Sequence, residues 1–153
     1  MQNQPVQQQS PEQLLMTLRI LWAAILSSSF ILVFISYQNF SDEIVEFDGI
    51  NLFYFVALAV LVISHILPKV LFKQALAQAP KPVTETQICT SYYVSFILSI
   101  ALSEAITLFG FVSVTTTHEP KRILPFVAVG VLNMIYFFPV KDRILQKAQA
   151  LSQ

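Results

Sequence analysis

Four long apolar runs divide the chain, with short polar stretches between them: Ile20 to Ile35, Leu52 to Leu67, Ser91 to Val114 and Ile123 to Phe138. None shows the strict alternation of a half-buried strand. With its flanks, each is long enough to cross the roughly 30 Å hydrocarbon core of a bilayer as a helix. The pattern predicts an all-α membrane protein with four transmembrane helices, an amphipathic N-terminal extension and a C-terminal surface helix.

The polar punctuation sets the boundaries. Residues 1–10 are rich in Gln, with almost nothing to bury, and read as a flexible tail. Ser10-Pro11-Glu12-Gln13 reads as a helix start, with Ser10 as cap, Pro11 at the first helical position and Gln13 as the capping-box partner. Arg19 and Trp22 then mark the headgroup boundary of the first span. Phe40 to Asn51 is an acidic connection carrying Asp42, Glu43, Glu46 and Asp48. The second span is read as ending near Pro68, which either stops or kinks the helix, since Lys69 to Lys73 still has helical character. Ala77 to Thr86, with Pro80 and Pro82, is the longest connection. Tyr92 and Tyr93 are interfacial anchors at the entry to the third span. Thr115 to Pro120 is a polar turn, and Tyr136 anchors the exit of the fourth span, which Pro139 closes. Residues 11–139 form the transmembrane domain. Residues 140–153 form an amphipathic helix lying on the membrane surface, with Ile144, Leu145, Ala148 and Leu151 on one side.

The third run carries the chemistry. Glu104 lies near its middle, where insertion of a charged side chain costs roughly 2.5–3.5 kcal/mol. Small residues recur beside it at Ser91, Ser95, Ser99, Ser103 and Thr107, with Gly110 close to the same line. Such a ridge suits close approach of another helix. By helix rise, Glu104 and Asn133 lie at similar depth on consecutive antiparallel spans. A Glu104–Asn133 hydrogen bond is therefore the expected pairing, easiest to satisfy with the carboxyl protonated. Ser28 and Ser29 on the first span are within about a turn of the same depth. Three roles stand open for Glu104: a packing and hydrogen-bonding group, a proton- or cation-binding carboxylate, or a pore-lining charge.

Composition narrows the function. The chain of 153 residues is 55% hydrophobic and 12% charged, against about 25% charged in a soluble domain. Its formal net charge of zero gives no general pull toward nucleic acid. The single cysteine, Cys89, excludes an intrachain disulfide. The sequence has no HExxH, no glycine-rich phosphate loop and no cluster of metal ligands, so neither an enzyme nor a metal or cofactor is expected, bound phospholipid aside. With four spans both termini share one side, together with Arg19, Lys69, Lys73, Lys81, Lys141, Arg143 and Lys147. Only Lys121 and Arg122 fall opposite, so the termini are expected in the cytoplasm.

Two resemblances add to this reading. Ser103 to Gly110 resembles the carboxylate-bearing helix of rotary ATPase proteolipid subunits, which implies ion translocation through Glu104. Leu18 to Ala23, Glu104 to Gly110, and Phe138-Pro139 to Asp142-Arg143, within a four-span layout, resemble the porin-like, lipid-trapping superfamily associated with bacterial predators. That resemblance implies an inner-membrane homo-oligomeric ring whose central space holds lipid, with the chain itself and membrane lipid as partners. The residues are compatible with it. A water-filled pore needs a continuous polar stripe, and the one partial stripe, on the third span, is better read as packing. Small residues on the first and third spans let neighbouring subunits approach, and cyclic symmetry closes the ring.

Overall fold

The computed structural model describes residues 10–40 and 49–152. The expected N-terminal tail, and most of the acidic connection including Asp42, Glu43, Glu46 and Asp48, lie outside the described residues. The described chain is all helical: α1 (Pro11–Asn39), α2 (Ile50–Gln78), α3 (Glu85–Thr117), a single 3-10 turn (Pro120–Arg122), α4 (Ile123–Tyr136) and α5 (Lys141–Ser152).

Local chemistry explains the ends. At the start of α1 the Ser10 hydroxyl accepts from the Gln13 backbone N–H, and the Gln13 side chain accepts from the Ser10 N–H, with Pro11 at the first position. Thr84 and Gln87 build the same reciprocal cap on α3. That Thr-x-x-Gln signal stands in the sequence at the end of the loop that carries Pro80 and Pro82. Pro68 is accommodated inside α2, which runs ten residues further, to Gln78. α3 ends at His118, whose left-handed backbone (φ 56°) turns the chain and whose N–H reaches the Val114 carbonyl.

Helix α3 is the central post, and α1, α2 and α4 all pack on it, whereas α1 and α2 barely touch each other. Three apolar clusters line its length. One joins Leu18, Phe72, Phe96, Ile100 and Ile144, and a middle one joins Ala57, Ile106 and Phe126. The third joins Val114, Ile123 and Val127. The remaining arrangement inverts that of a water-soluble bundle. Ser29, Ser36, Ser64, Ser99, Ser103, Thr107 and Asn133 are buried, while Phe30, Phe34, Phe55, Ile66 and Leu132 face outward. Small polar side chains inside and large apolar ones outside suit a bundle with lipid as its solvent.

Among the described residues three helices are long and apolar enough to cross a membrane, and this fits a multi-pass membrane protein. The expected fourth span is less complete. α4 has 14 residues, a rise of about 21 Å. After it the chain turns by 77° into α5, so a fourth crossing requires counting that bent pair as one span. The break follows from Pro139, which lacks the N–H needed to continue the helix. α5 also differs from a helix lying free on a surface. Its Ile144 and Ala148 are buried in the cluster with Phe72, Tyr92 and Phe96.

Candidate functional site

Glu104 and Asn133, the two polar groups singled out within the apolar runs, are not paired with each other. The Glu104 carboxyl lies between α3 and α1, where the Ser29 hydroxyl donates to Oε2 at 2.9 Å and the Ser28 hydroxyl lies 2.5 Å from Oε1. Ser28 is also 2.7 Å from the Ile25 carbonyl. A hydroxyl has one proton, so Ser28 donates to only one of these oxygens at a time. Asn133 faces elsewhere. Its amide nitrogen donates to Ser103 on α3 at 2.8 Å and to Ser64 on α2 at 3.0 Å. The Glu104–Asn133 expectation is thus corrected. Similar depth on adjacent helices does not ensure a shared face. Residues 103 and 104 are one position apart, about 100° around the helix, so Ser103 looks to α4 while its neighbour looks to α1.

Ser64 is the residue that sequence reasoning missed. The adjacent His65 has Nδ1 3.0 Å from the Leu61 carbonyl and sits among the rings of Tyr136 and Phe137. The available signal was a small hydroxyl in an apolar run, the same signal that marked the serines of α3.

The small-residue line is turned inward. Ser95, Ser99, Ser103, Thr107 and Gly110 are buried, and Ser91 is partly so. The hydroxyls of Ser95, Ser99 and Ser103 donate back to carbonyls of their own helix, at 2.8 Å each, so they offer no polar track. A Cβ at Gly110 would stand 2.6 Å from Phe126 Cβ, and one at Gly130 would stand 2.6 Å from Thr107 Oγ1. α3 and α4 therefore approach as closely as glycine allows. This seam is used within one chain and is not available to a neighbouring copy. Thr107 Oγ1 and Asn133 Oδ1 are buried beside it without a hydrogen-bond partner.

The anchors divide. Tyr92 is 7% exposed and meets the Phe72 ring edge-on at 5.6 Å. It is a core residue and not an interfacial anchor, because α2 continues past Pro68 and carries Phe72 over it. Tyr93 packs partly buried against the same cluster, whereas Tyr136 is exposed. Trp22 donates its indole N–H to the Met134 carbonyl at 2.8 Å and stands edge-on to Phe138. It satisfies a carbonyl near the end of α4 and ties α1 to that end. Arg19 lies 5.9 Å from the Phe138 ring centre.

Glu104 itself is only partly buried. It borders a strip of α3 on which Val94, Ala101, Leu108 and Val112 are exposed. On α1 the neighbouring Ala23, Ala24 and Ser27 are exposed as well. Among the described residues no group of three or more His, Cys, Asp or Glu side chains could hold a metal ion. No protein-family model, curated protein or solved structure matches this chain.

Proposed function

We propose that this chain is a non-enzymatic, multi-pass protein of the bacterial inner membrane that assembles with copies of itself into a closed ring enclosing lipid, and that it thereby perturbs membrane organisation. The observation that carries this reading is the half-buried Glu104. Its two serines occupy both oxygens, yet the side chain remains partly uncovered at mid-membrane depth. A neighbouring copy on the α1–α3 face removes it from lipid. The exposed Ala23, Ala24 and Ser27 on α1 let such a helix come close. This moves the subunit seam from the serine line of α3, which is consumed inside the chain, to α1. Outward Phe, Leu and Ile side chains supply the apolar wall that a lipid-filled ring needs. The layout has four crossings with both termini cytoplasmic, supported by the gathering of Lys69, Arg143 and Lys147 at one end.

Native mass measurement of the detergent-extracted particle, with bound lipid counted, tests this. The expected result is a whole multiple of the 17.3 kDa subunit with retained phospholipid. A single-subunit mass overturns it. The second reading, ion translocation through the intramembrane carboxyl, draws on the same exposure of Glu104. Under it, Glu104→Gln abolishes ion flux in liposomes; under the ring reading the variant assembles and behaves as the parent does.

A further inference from the structure

We propose that the cleft between α3, the end of α4 and α5 is a binding site for the phosphate group of an anionic phospholipid. The cleft has a volume of about 340 Å³ and is lined by Tyr92, Tyr136, Phe138, Arg143, Ile144 and Lys147. Its wall has two halves of different chemistry. Phe138 and Ile144 are apolar and continue the bundle core toward the acyl region. Arg143 and Lys147 are one helical turn apart on α5, and this spacing brings both cations to the same edge.

Among the described residues neither cation is held in an ion pair. The ion pairs among the described residues are Glu119–Arg122 and Glu85–Lys141, and neither includes Arg143 or Lys147. Lys147 Nζ instead lies 5.9 Å from the Tyr136 ring centre. Partial desolvation, followed by the charges of Lys69 and Arg143, holds its ammonium below the ordinary lysine range. Two positive groups, Arg143 and Lys147, at one edge of an apolar-backed cleft favour the entry of an anion. A phosphodiester fits this place: Arg143 offers a planar fork of donors and Lys147 a point charge, while the glycerol and acyl part runs over Phe138. A free phosphate shares the anionic chemistry but gains nothing from the apolar half.

Trp22 is the only tryptophan in the chain and stands 5.0 Å from the Phe138 ring, so its emission reports on the cleft. The test uses the full chain in detergent, titrated with phosphatidylglycerol, phosphatidylcholine or inorganic phosphate. Retained lipid is counted by native mass, and Trp22 emission is followed. The expected result is saturable retention of phosphatidylglycerol over phosphatidylcholine. The double variant Arg143→Gln/Lys147→Gln should weaken it roughly thirtyfold, the effect of two juxtamembrane cations. Lys121→Gln, remote from the cleft, should leave it unchanged. Competition by inorganic phosphate at similar concentration assigns the site to free phosphate and overturns the lipid source. Equal retention of both lipids, or equal binding by the double variant, overturns the site. The inference needs the apolar helices to sit in a bilayer but not the ring: a single-subunit mass that retains phosphatidylglycerol removes the ring and keeps the cleft.

Discussion

Asn133 on α4 donates to the Ser103 hydroxyl on α3 across 2.8 Å, and both residues are buried. The same amide reaches Ser64 on α2 at 3.0 Å, so one side chain ties three helices. Asn133→Ala should cost only about 1 kcal/mol, because hydrogen bonds between membrane helices average well under that each. The two serines also keep their own-helix acceptors, the Leu61 and Ser99 carbonyls, and a buried, unpartnered Oδ1 is removed. Asn133→Asp should cost more, by up to the roughly 2.5–3.5 kcal/mol of an intramembrane carboxylate. Thermal unfolding in detergent checks the order. Equal losses for the two variants contradict it.

Glu104→Gln should leave the fold intact. The amide NH2 donates to Ser28, the Ser28 proton goes to the Ile25 carbonyl, and the amide oxygen accepts from Ser29. Glu104→Leu should detach α1 from α3 locally, because it leaves both serines without that partner. In a double-mutant cycle, Ser28→Ala and Glu104→Leu should be non-additive by 0.5 kcal/mol or more, about the lower bound for residues in contact. Strict additivity argues against the contact.

Gly110→Ala should lower stability by about 1–3 kcal/mol, the usual range for overpacking. The new methyl meets Phe126 Cβ, an atom that no side-chain rotation can move. Gly130→Ala meets first the Thr107 hydroxyl and then the Ser103 backbone carbonyl at 3.0 Å, so Thr107→Ala should rescue it only in part. Melting temperatures of the two single variants and the double variant decide the matter; a Gly110→Ala protein as stable as the parent contradicts the close approach.

Lys141 and Glu85 link α5 to the start of α3 at 3.0 Å. The hydrogen bond and charge of Glu85 hold the Lys141 ammonium above its ordinary range. A group raised in the folded state contributes stability below its unfolded pKa, about 10.4 for lysine, and that contribution is lost as pH rises through the folded value. Stability measured against pH for the parent and Lys141→Gln should therefore differ by a constant amount near neutrality and converge at strongly alkaline pH. A gap that widens there reverses the sign and refutes the pairing.

Much of the fold was legible because its signals are local. Ser10, Pro11 and Gln13 announce the start of α1, and Pro139 announces the stop before α5. The cap of α3 was equally local, in Thr84 and Gln87, and was overlooked beside the prolines. The candidate site was only half legible. Glu104 and Asn133 stand out as costly groups in apolar runs, but their partners depend on the rotation of each helix about its axis, which depth alone does not specify. Tyr92 was misplaced for a related reason: an aromatic near a helix end reads as an anchor until another helix extends over it.

By itself, the order of residues determined that this chain forms long apolar helices with small polar residues and one carboxyl inside the third, since hydrophobic length and capping act within a few turns. Only the packing of α1, α2 and α4 around α3 decided that the serine line is consumed within the chain. The same packing gave Glu104 to Ser28 and Ser29 while Asn133 bridges Ser64 and Ser103. Those outcomes rest on which faces interlock, and interlocking is a property of several helices at once.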